Sequence, residues 1–172
     1  RRFCRGHGLG PQTAGGYRCG LLVDCVLFQN AEALLGAGAR AGSLAIDFPL
    51  AGISALVATH VHVDHVGRIP CLLAVGFKGA ILCSEPSINL LPVVLEDAFQ
   101  LVFSRDQQQV ERYLKSLESR IIALAYDSWF ALVGSAQLKA AIRLQRAGHI
   151  LGSTYVDIGL LYKYSGTSKR IV

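Results

Sequence analysis

The sequence predicts a layered α/β fold, because short buried strands and amphipathic helices share a chain of single-domain length. With 172 residues, 52% of them hydrophobic and 17% charged, the chain suits one globular domain with a sizeable core. Three short apolar runs predict buried strands, at residues 21–25, 53–58 and 80–83. Two longer segments, 87–103 and 104–121, carry apolar residues at helical spacing and predict helices.

The amino-terminal third is less regular. Residues 1–20 are rich in glycine, and we expect a loop with room for one short strand and a solvated His7. The run 21–25 predicts a central strand with Asp24 at its carboxyl end. Residues 30–43, rich in alanine and glycine, predict a loop or a frayed helix, and a short helix closed by Gly76 is expected after residue 65.

A cluster of histidines follows the strand at 53–58. Three of the five histidines, His60, His62 and His65, fall within six residues, with Asp64 among them. Because side chains alternate along extended backbone, His60, His62 and Asp64 should project to one side, with His65 turned away. Imidazole and carboxylate are usual zinc ligands, so the spacing predicts a metal site, and Asp64 with His65 could serve a second ion. The alternative is a polar loop whose histidines cap a helix beginning near Asp64.

The pattern His60-x-His62-x-Asp64-His65 after an apolar strand resembles the signature of the metallo-β-lactamase superfamily. The resemblance implies a metal-dependent hydrolase with the αββα sandwich of that superfamily, and it leaves the substrate open. In the superfamily an Asp at the end of an early strand orients a metal ligand, so Asp24 is expected behind the ligands. The alternative for Asp24 is a simple strand-end carboxylate, and Val26 replaces the glycine that usually follows.

A second informative stretch, Gly148 to Ser153, lies in a predicted turn between two strands. Its glycines let the backbone bring an imidazole close to another group, and His149 is the natural third nitrogen beside His60 and His62. The stretch resembles the G-H-x-L-G-S segment of the β-CASP branch, the RNA- and DNA-processing nucleases of the superfamily. The long helical region between Cys83 and His149 also fits that branch.

The likeness to that branch implies a zinc-dependent phosphodiesterase acting on RNA. It implies that His60, His62 and His149 hold one zinc ion, and that Asp64 and His65 hold part of a second. Zinc lowers the pKa of a bound water towards neutrality, and the hydroxide attacks the scissile phosphate. Asp64 would be the catalytic residue that orients this water and accepts its proton. Another hydrolase of this fold, such as a thioesterase, and a non-catalytic RNA-binding subunit are the alternatives.

The same likeness predicts how much of the enzyme is present. Enzymes of the branch continue with a bridging Asp, an inserted cap domain and a final histidine ligand, and residues 162–172 resemble the approach to that Asp. We therefore expect residues 1–172 to form a partial metallo-β-lactamase domain, the first half of the sandwich, without the cap domain. We expect one zinc ion or none where the parent enzyme holds two, and weak or no activity alone. The absence of methionine fits an excised piece.

Charge and cysteine content indicate which partners and which cellular compartment are compatible with the chain. The 17 Lys and Arg against 12 Asp and Glu give a net charge of +5, which is compatible with a polyanionic partner such as RNA. Five cysteines form no C-x-x-C pair, so we expect reduced thiols in a cytoplasmic protein. No run reaches the ~18 apolar residues of a membrane span. We expect no membrane partner and leave a homo-oligomer open.

Overall fold

A computed structural model describes residues 20–26, 46, 48–132 and 138–172, and the backbone of residues 6–8. Within these residues the chain forms nine strands in two sheets, four α-helices and one 3₁₀ turn. The strands are β1 (Gly6–Gly8), β2 (Gly20–Val23), β3 (Ile53–Val57), β4 (Ala80–Ser84), β5 (Ile121–Leu124), β6 (Trp129–Leu132), β7 (Leu138–Arg146), β8 (Thr154–Tyr162) and β9 (Ser168–Ile171). The helices are α1 (Val63–Val66), α2 (Ile69–Ala74), α3 (Leu90–Val102) and α4 (Gln107–Glu118), with the 3₁₀ turn at Glu85–Ser87.

The first sheet has the strand order β1-β2-β3-β4-β5, and the four strands from β2 to β5 run parallel. Parallel neighbours need crossover connections, and α1 with α2 joins β3 to β4, while α3 with α4 joins β4 to β5. Because the strands are parallel, their carboxyl ends lie along one edge of the sheet. This edge is where the polar residues after β2, β3 and β4 meet.

The second sheet is antiparallel, in the order β6-β7-β8-β9. Its two central strands, β7 and β8, are paired from Leu138 opposite Tyr162 to Arg146 opposite Thr154. Residues 147–153 form the connection of this hairpin. The turn predicted around His149 is therefore present, between the two strands expected to flank it.

The core has two parts, one on each face of the first sheet. Alternate strand residues point to opposite faces, so Leu56 of β3 faces the helices while its neighbour Val57 faces the second sheet. The helical side buries Leu22, Leu56, Ile69, Leu72, Ile81, Leu91, Leu95 and Leu117. The side between the sheets buries Leu21, Val57, Leu82, Leu124, Leu138, Ile142, Leu144, Ile158 and Leu160. The described residues thus form three layers, and the predicted α/β class is confirmed.

The start of α4 differs from expectation. The spacing Ser104-x-x-Gln107 is typical of a capping box and predicts a helix that opens at Ser104, which is wrong by two residues. Asp106 is the N-cap, and its carboxylate accepts a hydrogen bond from the backbone N–H of Gln109 at 2.9 Å. The hydroxyl of Ser104 instead accepts from the N–H of Asp106 at 3.1 Å. A carboxylate is the stronger acceptor for the free N–H groups at a helix start, which explains the shift.

Other expectations concern cysteines and the amino-terminal segments. Cys71 and Cys83 are buried free thiols, and Cys25 is also buried. Residues 30–43 and the side chain of His7 lie outside the described part of the chain. In the described ranges, no helix has the length and apolar character needed to cross a membrane.

Candidate metal centre

The histidine cluster begins where β3 ends. β3 stops at Val57, and the backbone turns into α1 at Val63, where the carbonyl of His62 accepts from the N–H of His65 at 2.9 Å. Asp64 and His65 therefore lie in the first turn of a helix. The expected alternation along extended backbone through Asp64 is wrong, because the strand has already ended. As a result His65 is not turned away, and its ring centroid lies 4.1 Å from that of His60.

Three imidazoles converge at this edge. Nitrogen atoms of His60, His62 and His149, one from each ring, all lie within 4.8 Å of one another. His60 is only 7% exposed, whereas His62 and His149 are open to solvent. The site thus combines one ligand fixed in the protein with two on its rim. Three histidine nitrogens with one accessible side match the donor set of catalytic zinc sites, which keep one coordination position for water or substrate.

Asp24 lies behind these rings, directly after β2, in a left-handed backbone conformation with φ of 60°. Its carboxylate accepts hydrogen bonds from the N–H and the hydroxyl of Thr59, both at 2.8 Å. Nδ1 of His65 lies 2.8 Å from the same carboxylate. The backbone supports this contact, because the N–H of Cys25 donates to the carbonyl of His65 at 2.7 Å. The end of β2 and the start of α1 are thereby tied together.

Thr59 extends this network to His60, since its hydroxyl oxygen lies 3.0 Å from Nδ1 of His60. An ionised carboxylate can only accept hydrogen bonds, so the protons of the network follow from Asp24. The Thr59 hydroxyl donates to Asp24, and its oxygen accepts from the Nδ1–H of His60. The Nδ1–H of His65 donates to Asp24 directly. In both rings Nε2 then carries the lone pair, which a metal ion requires.

The environment of His60 favours the neutral ring. Burial lowers the pKa of His60, and the neighbouring imidazole of His65 lowers it further, while the Asp24 carboxylate opposes both. Since a metal ion binds the neutral form, a lowered pKa reduces competition from protons near neutral pH. Asp64 and His65 lie outside the three-histidine group found among the described residues, with Oδ2 of Asp64 3.8 Å from Nε2 of His65 and the Asp64 side chain 46% exposed.

The turn that carries His149 is held by its own residues and by Thr59. The hydroxyl of Ser153 accepts hydrogen bonds from the N–H groups of His149, at 3.0 Å, and Ile150, at 3.1 Å. Thr154 donates to the carbonyl of Thr59 through its N–H, at 2.8 Å, and its hydroxyl, at 3.1 Å. Sequence reasoning gave no role to Thr59, Ser153 or Thr154. The position of Thr59 at the strand end, directly before His60, was the available signal.

Comparison with known proteins decides the family. A family model described as the metallo-beta-lactamase superfamily matches residues 16–166. The chain belongs to the metallo-β-lactamase superfamily. The resemblance inferred from His60, His62, Asp64 and His65 is therefore confirmed at the level of the superfamily. Among solved structures, a B3 metallo-β-lactamase with an active-site glutamic acid covers 89% of this chain and 51% of that chain, at 19% identity and a TM-score of 0.46.

Several relatives of this chain have names that refer to RNA cleavage or to transcription. Ribonuclease TTHA0252 of Thermus thermophilus is 32% identical over 148 residues, which are 83% of this chain and 30% of the relative. Cleavage and polyadenylation specificity factor subunit 3-II of Arabidopsis thaliana is 30% identical over 129 residues, 69% of this chain and 20% of the relative. Transcription termination factor FttA of Methanococcus maripaludis is 32% identical over 112 residues, which are 62% of this chain and 16% of the relative. The chain spans less than a third of each.

Proposed function

We propose that this chain is part of a zinc-dependent phosphodiesterase of the β-CASP branch that cleaves RNA. The observation that carries the proposal is the convergence of His60 and His62 with His149, which comes from a separate motif, within 4.8 Å. The relatives named as a ribonuclease and as a cleavage factor subunit support RNA as the substrate. The net charge of +5 is compatible with a polyanionic partner.

The roles of the residues follow from their positions. His60, His62 and His149 hold one zinc ion, and Asp64 with His65 supplies part of the site for a second. When bound, zinc acidifies a coordinated water and stabilises negative charge on phosphate oxygens. The exposed carboxylate of Asp64 orients the attacking water and accepts its proton. Asp24 fixes the ring of His65 directly and that of His60 through Thr59, so that each presents Nε2 to the metal.

The proposal extends to the longer protein to which the relatives correspond. In it, a cap domain and further ligands complete a site with two zinc ions, and the protein acts on RNA in the cytoplasm. Residues 1–172 alone form a partial metallo-β-lactamase domain with weak activity, whose three histidines hold one zinc ion. Robust RNA turnover by residues 1–172, abolished by a chelator, would contradict the proposal that these residues alone have only weak activity.

The test is hydrolysis of a labelled RNA by the full protein and by two variants. His62→Ala removes a ligand, and Asp64→Asn removes the proton acceptor. We expect Asp64→Asn to lower the rate about 10²–10⁴-fold, the usual contribution of a general base. Asp127→Asn, which changes an exposed carboxylate outside the histidine cluster, is the matched control and should cleave normally. Consumption of an acyl thioester with no cleavage of RNA would favour a different hydrolase of this fold.

A further inference from the structure

The turn that carries His149 rests on a pair of buried serines from the first sheet. Ser84 is the last residue of β4 and Ser87 the last residue of the 3₁₀ turn, and both are 0% exposed. The hydroxyl of Ser84 donates to the carbonyl of Gly152 at 2.7 Å, and that of Ser87 lies 3.3 Å from the same oxygen. The two hydroxyl oxygens are 3.0 Å apart. The carboxyl end of β4 is thereby joined to the hairpin of the second sheet.

The protons of the pair can be assigned by counting. Each hydroxyl has one proton, and the short contact shows that Ser84 gives its proton to Gly152. Ser87 then has its nearer acceptor in the Ser84 oxygen, at 3.0 Å, and its farther one in Gly152, at 3.3 Å. A hydroxyl that accepts one hydrogen bond donates a stronger one. Ser84 is therefore the direct anchor of the turn, and Ser87 supports it.

Steric packing shows how closely the turn sits on the pair. Gly152 has φ of +82°, and a Cβ atom at this position would lie 2.2 Å from the hydroxyl oxygen of Ser87 and 3.1 Å from that of Ser84. Only glycine combines this backbone conformation with this approach. Gly148, at the other side of His149, has φ of +71° and nothing within 4 Å of such an atom. The turn is thus packed closely against the two serines at Gly152, whereas Gly148 faces open space.

Hydrogen bonds attach the turn to the ends of two neighbouring strands of the first sheet, and the side chain of Ile150 packs against the helical side of the core. Thr154 attaches it to Thr59, after β3, and Gly152 attaches it to Ser84, at the end of β4. The hydrogen bonds of Ser153 are internal to the turn and set its shape only. Because His149 is exposed, its place beside His60 and His62 depends on where these hydrogen bonds and the packing of Ile150 hold the backbone.

We propose that Ser84 and Ser87 are positioning residues for the metal site. Through the carbonyl of Gly152 they hold the turn so that the His149 nitrogen stays within ligand distance of His60 and His62. The inference rests on the proposed function, since it assigns the serines a role in metal binding. Ser84 contributes more than Ser87, because it makes the direct hydrogen bond.

The first experiment measures the zinc dissociation constant of the chain by competition with a chromophoric chelator. Removing a residue that orients a metal ligand typically weakens metal binding 10–100-fold. We expect Ser84→Ala to weaken zinc binding about 10–100-fold and Ser87→Ala to weaken it less. Ser54→Ala is the matched control, because the Ser54 hydroxyl also donates to a glycine carbonyl, that of Gly20 at 3.2 Å, near the amino ends of the strands. This variant should bind zinc normally.

The melting temperature of each variant, measured beside its zinc dissociation constant, separates a positioning role from a role in stability. If the serines only stabilise the fold, Ser84→Ala lowers the melting temperature but leaves the zinc dissociation constant unchanged, which would overturn the inference. Should Ser84→Ala fail to fold, Ser87→Ala carries the same test, and wild-type zinc affinity in that variant would overturn it.

Amide hydrogen exchange on the metal-free chain tests whether the serines hold the turn, independently of whether the histidines bind zinc. We expect Ser84→Ala to speed exchange of the His149 and Ile150 N–H groups relative to Ser54→Ala. A wild-type chain that binds no zinc would refute the metal role proposed for the histidines, and with it the role of the serines in metal binding. Unchanged exchange of these two amides in Ser84→Ala would show that the serines do not hold the turn.

Discussion

Replacing Asp24 by Asn tests whether one carboxylate sets the protonation of two metal-binding rings. Asn keeps the shape and one oxygen, which can still accept from the N–H of Thr59. Its NH₂ group, however, occupies the place of the oxygen to which the Thr59 hydroxyl and the Nδ1 of His65 now donate. A donor there forces Thr59 to turn its proton towards Nδ1 of His60, and forces Nδ1 of His65 to accept. Both rings then carry a proton on Nε2, the nitrogen needed for the metal. The flipped amide would instead face the N–H of Thr59 with a donor.

The magnitude follows from the number of groups affected. Loss of a partner that orients one ligand typically costs 10–100-fold in metal affinity, and tenfold corresponds to about 1.4 kcal/mol. We expect Asp24→Asn to weaken zinc binding by at least this 10–100-fold, or about 1.4–2.7 kcal/mol. The metal-free protein should lose little stability, because Asn tolerates the left-handed conformation and the hydrogen bonds are reversed more than lost.

The assay is calorimetric or competitive zinc titration of wild type and variant at one pH. Asp127→Asn is the matched control, because Asp127 also has φ of 60° but is exposed and is not part of the histidine cluster. It should bind zinc like the wild type. Wild-type zinc affinity in Asp24→Asn would refute the assignment of protons through Asp24 and Thr59.

Two further predictions concern stability. Gly152→Ala should lower the free energy of unfolding by more than ~2 kcal/mol, since it adds steric overlap to the strain of a positive φ, whereas Gly148→Ala, in open space, should cost about 1 kcal/mol. Equal losses in urea unfolding would refute the close packing at Gly152. Asp157 is fully buried, and hydrogen bonds from Arg170 first, and also from Arg143, lower the pKa of its carboxyl group. A lowered pKa contributes stability above the unfolded-state value of about 3.9, and this is lost as pH falls through the folded-state value. Asp157→Asn should therefore be about 1.5–3 kcal/mol less stable at pH 7, the usual contribution of hydrogen bonds to a charged group. The gap should narrow below pH ~4, and a gap that stays constant to pH 2 would contradict this.

The parts of the site that sequence could predict are those encoded by local spacing. His60 and His62 lie two residues apart after a recognisable strand, and His149 lies in a glycine-flanked turn, so their convergence could be anticipated. The direction of His65 could not, because α1 is four residues long, too short to show helical periodicity, and it redirects the chain at Val63.

The contacts that support the site could not be predicted from the sequence, for a different reason. Thr59 and Asp24 are 35 residues apart, and Ser84 and Gly152 are 68 residues apart. Small hydroxyl residues at strand ends are common, and only the packing of the two sheets shows which of them meet a carbonyl or an imidazole. The same holds for Asp157, whose arginine partners lie on adjacent strands of the second sheet.

The most direct test of the metal centre is the zinc content of the purified chain by elemental mass spectrometry, beside a His149→Ala variant. The three-histidine site predicts about one zinc ion per wild-type chain and its loss from the variant, with both proteins folded by circular dichroism. A folded wild-type chain without zinc, or a His149→Ala variant that retains it fully, would contradict the claim that His60, His62 and His149 together hold the ion.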